Sequence, residues 1–126
     1  MRAVYARSDP AASEPLIALC RTEAEARAVE REVSEVGSGA EVRWETHEVS
    51  GAAGDVVHAV VQASSSPDLF QEPDPIVLGV FARRDEAELH TERRRRRDGV
   101  DHLVVWSISI GWRRPGWPFD AATPAP

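Results

Sequence analysis

The chain of 126 residues contains no lysine and no asparagine, and only one cysteine, one methionine and one tyrosine. All 15 of its cations are therefore arginines, so a run of arginines arises more easily here than in a mixed composition. The single cysteine, Cys20, excludes an internal disulfide and a cysteine-rich metal site. No stretch approaches the ~20 apolar residues that span a bilayer. The opening "MRAVYARSDP" lacks the apolar segment of a secretion signal. The expectation is a cytoplasmic protein without a membrane partner. Glycine-rich phosphate loops are also missing: "GSG" at 37–39 follows a helical pattern and precedes a strand pattern, the wrong context for a nucleotide cradle. No cofactor is implied.

Hydrophobic residues make up 42% of the chain and charged residues 29%, which excludes a largely disordered protein and fits one globular unit. The net charge of -6 opposes a general attraction to polyanions. That acidity is uneven. Residues 1–55 hold 6 Arg against 11 acids, and residues 56–126 hold 9 Arg against 10. Arginine used alone, with abundant Ala, Val, Gly and Pro, gives an actinobacterial-like, high-GC bacterial composition.

Reading for period, "RAVYARS" (2–8) and "PLIALCR" (15–21) are short strand-like runs. "TEAEARAVEREVSEVG" (22–37) is helical. Thr22 and Glu25 form a capping box, Ala26, Val29, Val33 and Val36 recur at helical spacing, and Gly37 supplies a stop. "AEVRWETHEV" (40–49) alternates Val42, Trp44 and Thr46 against Arg43, Glu45 and His47, as a half-buried strand does.

The same order then returns. "VVHAVVQAS" (56–64) and "PIVLGVFAR" (75–83) read as strands. "DEAELHTERRRRRDG" (85–99) reads as a helix begun by Asp85, with Glu88 at the capping-box position. "HLVVWSISIGW" (102–112) closes the unit as a strand. Trp44 corresponds to Trp106, Gly37 to Gly99, Val42 to Val104 and "TEAE" to "DEAE", at a nearly constant offset. This predicts an internal duplication. The fold class is α+β: a duplicated strand-strand-helix-strand unit, with residues 1–49 as the first copy, 50–55 a linker, 56–112 the second copy and 113–126 a Pro/aromatic tail. One such unit buries too little to stand alone. A ferredoxin-like sandwich is expected, with about six strands in one sheet or in two three-stranded sheets that meet, covered by two helices.

"VLGVFARRDEAELH" (77–90) is similar to a pattern in small uncharacterised bacterial domains, where a G-V-F strand runs into a helix opened by acidic residues and Ala. "IALCRTEAEARA" (17–28) resembles it more faintly, with Cys20 in place of the aromatic. The resemblance implies a fold and no activity.

The five arginines Arg93–Arg97 advance by ~100° each on a helix and spread around its circumference, so at most two or three share a face. They occupy the last turns, where cations complement the carbonyl end of the helix dipole. Glu92 precedes Arg95 and Arg96 at ion-pair spacing. Leu89, Arg93, Arg96 and Val100 continue a stripe whose stems could cover apolar surface. A solvated, ion-paired helix end is the preferred reading. Nucleic-acid binding through Arg83, Arg84, Arg93, Arg96 and Arg97 is the weaker one, and it requires one continuous patch away from Asp98 and Asp101.

His47, His58, His90 and His102 show no metal spacing. Glu45 and His47 share a strand face, but no third ligand is identifiable. Cys20 lies among apolar residues with no neighbouring base, which suits an inert thiol. No catalytic constellation emerges, so an enzyme is the least supported class. Trp112, Trp117 and Phe119, beside Arg113 and Arg114, have the composition of interface anchors on a Pro-rich segment that cannot extend a sheet, and they should dock on the chain's own domain, on a second copy or on another protein. Leu69 and Phe70 ride on an acidic, Pro-rich loop as a second contact surface. The expected function is a non-enzymatic protein-interaction module, inhibitor-like, immunity-like or an assembly component, whose partner is another protein or a second copy. The alternative is a small-molecule sensor that uses the crevice between the halves.

Overall fold

The computed structural model describes residues 1–7, 13–36, 39–50, 54–63, 69, 72–99 and 102–114. Seven strands and two helices follow in the order β1 (Arg2–Arg7), β2 (Leu16–Cys20), α1 (Glu23–Val36), β3 (Glu41–Thr46), β4 (Val49–Ser50), β5 (Val56–Gln62), β6 (Ile76–Phe81), α2 (Arg84–Asp98) and β7 (Leu103–Ser109). The class is α+β, with two sheets, ordered β2-β1-β3 and β4-β6-β5-β7. Of the two arrangements expected, the pair of sheets holds, and β4 adds a short fourth strand to one of them.

The start of α1 is written in its sequence. The Glu25 N–H donates to Thr22 Oγ1 (3.3 Å), and Glu25 Oε2 accepts the N–H of Arg21 (3.0 Å), so orphan donors at the helix start find partners. Ala26, Val29 and Val33 lie fully buried against Val4, Ala6, Ile17, Ala18 and Cys20 of the first sheet. These are three of the four residues of the predicted stripe; the Val36 side chain and Gly37 lie outside the described residues.

The second helix departs from expectation. It starts at Arg84, and its N-cap, Arg83, makes no side-chain cap. Asp85 lies inside the first turn, where it takes a two-pronged contact from the Arg83 guanidinium (3.1 and 2.8 Å). Glu88 pairs with Arg84 and caps nothing. The stop is as expected: Gly99 adopts φ 61°, and its N–H reaches the Arg95 carbonyl (3.0 Å). The stripe through Leu89 is wrong by face. Leu89 is 51% exposed, and the helix buries Ala87 and Thr91 instead, with His90 and Arg94 half-buried. Gly79 on β6 makes room for this contact, since a Cβ there would stand 3.2 Å from the Phe81 ring and 3.9 Å from His90 Nε2.

The two sheets meet face to face. Ala3, Tyr5, Leu16 and Leu19 from one side and Val57, Ala59, Val61, Ala63, Val80, Trp106 and Ile108 from the other form a single buried cluster. With α1 outside the first sheet and α2 outside the second, the layers run helix, sheet, sheet, helix. Trp44 and Trp106, matched by sequence offset, point into different layers. Trp44 packs under α1, with the Arg27 guanidinium 5.8 Å from its ring centroid, whereas Trp106 lies between the sheets. The offset is one residue out for strand parity: Trp44 pairs with Val4 on the helix side, while Trp106 pairs with Ala59 on the seam side.

Each half also lends its last segment to the other. Beyond β3 the chain forms β4, which pairs in parallel with β6. Beyond β7, residues 111–114 run along β2, with the Leu19 N–H donating to the Trp112 carbonyl (2.9 Å) and the Arg114 N–H to the Ile17 carbonyl (2.7 Å). Ser50, read as the first linker residue, therefore lies in β4, and Arg113, read as the first tail residue, bridges Ala18.

Candidate functional site

β7 ends the four-stranded sheet, and among the described residues no strand pairs with its outer side. Its register with β5 fixes which groups point outward. The Ala63 N–H donates to the His102 carbonyl and the Ile110 N–H to the Asp55 carbonyl. The antiparallel alternation then turns the backbone N–H and C=O of Leu103, Val105, Ser107 and Ser109 away from β5. Two of these groups already have ends in place: Arg95 donates to the Leu103 carbonyl (2.9 Å) and the Trp112 N–H to the Ser109 carbonyl (3.0 Å). Between these stops the edge runs through Val105 and Ser107.

A groove lies on each face of that edge. One, of about 530 Å³, runs between α2 and β7 and is lined by Arg84, Glu88, Thr91, Glu92, Arg95 and the strand itself. The other, of about 380 Å³, opens on the seam side between Leu69, Trp106, Ile108 and Trp112. Both grooves include Val105 and Trp106 in their lining, so they adjoin along the strand.

The expected interface residues partly converge here. Leu69 and Trp112 line the seam-side groove and pack against the inter-sheet core. Arg114 donates to the Leu69 carbonyl (3.1 Å) and fixes that loop position. Arg113 turns away and forms an ion pair with Glu32 of α1. Phe70, Trp117 and Phe119 lie outside the described residues.

The expected cationic residues do not converge. Arg83 is held by Asp85, Arg84 by Glu88, Arg96 by Glu92 and Arg97 by Asp98. Glu92 selects Arg96 of its two expected partners, and Arg95 reaches β7 instead. Arg97 contacts the very Asp98 that a nucleic-acid patch had to avoid. Arg93 is exposed and pairs with no described acid.

Sequence reading missed a chain of hydrogen bonds at the groove mouth. Arg84 Nη1 donates to Ser107 Oγ (2.8 Å), whose other side meets His58 Nδ1 (2.8 Å). Ser107 and His58 are 49 positions apart, and only the β5–β7 register brings them together. The chain ties the start of α2 to the strand edge and holds Arg84 on the groove rim.

Glu45 and His47 do lie on one face, 3.5 Å apart, within a polar cluster near the opposite side of the seam. Arg43 stacks over the Tyr5 ring (4.5 Å) and binds both Glu14 (2.6 Å) and Glu45 (3.2 Å). Burial pushes the Tyr5 hydroxyl well above its ordinary range, and the Glu45 charge adds to this. Burial also opposes ionisation of Glu45, but Arg43, Tyr5 and His47 outweigh it and hold the carboxyl below its usual value. Arg43 is thus shared by two carboxylates, one from the segment before β2 and one from β3. Among the described residues no three His, Cys, Asp or Glu side chains gather in a metal-binding arrangement. Cys20 is buried, and that burial, with Glu25 beside it, raises its thiol pKa and disfavours the thiolate.

No described helix is long and apolar enough to cross a membrane. Comparison with family models, with curated proteins and with solved structures finds no match to this chain. Its functional reading rests on the geometry above.

Proposed function

We propose that the chain is a non-enzymatic protein-interaction module that takes up an extended segment of another protein along β7. The carrying observation is an uncharged edge strand with a groove on each face. Strand addition needs both features: outward backbone groups for affinity, and alternating side-chain pockets for specificity.

The outer side of β3, with which no described strand pairs, supplies the contrast. β3 reads "EVRWET" and carries Glu41, Arg43 and Glu45, with Arg7 and Glu14 bound to them. Charge of that kind keeps an edge from pairing. β7 reads "LVVWSIS" and carries none. The β2 and β6 edges are covered by residues 111–114 and by β4.

A second copy fits the edge poorly. Arg84 stands at the Ser107 end and Arg95 at the Leu103 end. Two β7 strands paired about Val105 would set Arg84 against Arg95 of the other copy, and Glu88 against Glu92. Like charges meet at both positions, which suppresses that pairing.

We also propose that the two strand-strand-helix-strand halves descend from one duplicated unit in a variant ferredoxin-like sandwich. Each half places its first strand in the middle of its sheet, and each second strand carries one extra residue at a matching place, Ile17 opposite the Val4–Tyr5 step and Leu78 opposite the Val60–Val61 step.

Replacing Val105 by proline removes an outward N–H while leaving the β5-facing ladder intact, a change that edge strands tolerate. Against a library of extended peptides, binding should fall at least about tenfold in V105P, with the circular dichroism spectrum unchanged. Binding that is indifferent to the proline, or no binding by any library member, overturns the reading.

A further inference from the structure

We infer that the segment taken up along β7 alternates between cationic and apolar side chains, with the cations facing α2. This rests on the strand-addition reading of β7.

The faces of β7 are chemically different. Leu103, Val105 and Ser107 point toward α2, and Val104, Trp106 and Ile108 point into the seam. A strand laid against β7 inherits this parity: its residues opposite Leu103 and Val105 enter the α2 groove, and those opposite Trp106 and Ile108 enter the seam-side groove.

The α2 groove offers acceptors. Glu88 and Glu92 line it one helical turn apart, and both are more than half exposed. Its two arginines are already engaged by internal acceptors. Arg84 is bound to Ser107 Oγ, and Arg95 to the Leu103 carbonyl. The partners now on Glu88 and Glu92 are Arg84 and the 79% exposed Arg96, at 3.1 and 3.3 Å. Exposed pairs of this kind contribute little, so an incoming guanidinium or ammonium group replaces them readily.

The seam-side groove offers the opposite chemistry. Leu69, Val105, Trp106, Ile108 and Trp112 present apolar and aromatic surface, and the polar residues in its described lining are Ser107 and Ser109. An aliphatic or aromatic side chain fits there and a charged one would be desolvated without a partner.

The test uses the intact chain and three fluorescent peptides of about nine residues, an ordinary strand length. All carry Val or Phe at alternate positions, and the positions between carry Arg, Ser or Glu. The Arg peptide should bind at least about tenfold tighter than the Glu peptide. The double variant E88Q/E92Q should remove most of that difference without moving the circular dichroism spectrum. Raising salt from about 0.05 to about 0.5 M should shrink the difference too.

If all three peptides bind alike and V105P abolishes each, the edge reading stands and the cationic assignment falls. If none binds, or V105P changes nothing, the edge reading itself falls. A dimer in sedimentation that V105P dissolves would make the occupant a second copy and overturn the assignment.

Discussion

The two helices cover sheets of the same strand order by different means. α1 drives Ala26, Val29 and Val33 into a dry layer over the first sheet. α2 offers its sheet only Ala87 and Thr91 as buried residues, and Thr91 returns its hydroxyl to the Ala87 carbonyl (2.9 Å). Both His90 Nε2 and Arg94 Nε are buried beside it without a hydrogen-bond partner. α1 is held by apolar area, while α2 is held by two small buried contacts and by polar ties from Arg84 and Arg95 to β7. A groove opens between α2 and β7, beside the strand edge that lacks charge.

The largest effects should separate these two layers. V29A deletes fully buried volume and is expected to destabilise the chain by about 2 kcal/mol in urea unfolding, whereas T91A should cost about 1 kcal/mol or less. Equal losses would mean that α2 is as tightly packed as α1. Native-state hydrogen exchange reads the same contrast without substitution. Amides of α2 should exchange at least about tenfold faster than those of α1, through local opening of a layer that buries fewer apolar side chains.

A smaller effect should appear with pH. Burial, aided by Arg94, Arg97 and Arg93, holds the His90 imidazole below its ordinary value of 6.5. The unfolded chain therefore binds this proton more readily than the folded one, so stability should fall as pH drops from 6.5 toward the lower folded value and then level off. Melting temperatures of the parent and H90Q across about pH 5 to pH 7.5 measure it. H90Q should flatten that segment of the profile, and an unchanged slope would assign it elsewhere. The smallest effect belongs to the arginine run. R96A breaks one exposed pair with Glu92 and should cost about 0.3–0.5 kcal/mol, while R93A should change stability by less than that.

Local chemistry was legible in the sequence. Thr22 and Glu25 mark the start of α1, Gly99 marks the end of α2, and the valine spacing of α1 names its buried face. These signals act over a few residues and need no tertiary information. Strand parity did not survive: Trp44 and Trp106 look equivalent in sequence, but a one-residue difference in register sends them to opposite sides of their sheets. The stripe of α2 failed for a related reason, since a helix with so little apolar content does not announce which side it buries. The pairing of Ser107 with His58 and the free edge of β7 are consequences of strand order, which separates neighbours in space by dozens of positions in the chain. Leu69 and Trp112 were legible as contact residues by composition, but the grooves they border were not.

The exchanged segments β4 and 111–114 have a consequence for how the chain can be taken apart. Each sheet borrows an edge from the opposite half, so neither half is complete as a separate piece. Two fragments divided between residues 50 and 54 should be poorly folded alone and should reconstitute when mixed, because the seam and both borrowed edges become available only together. At high concentration the same exchange offers a route to swapped dimers, in which the segment that crosses the seam does so into a neighbouring molecule.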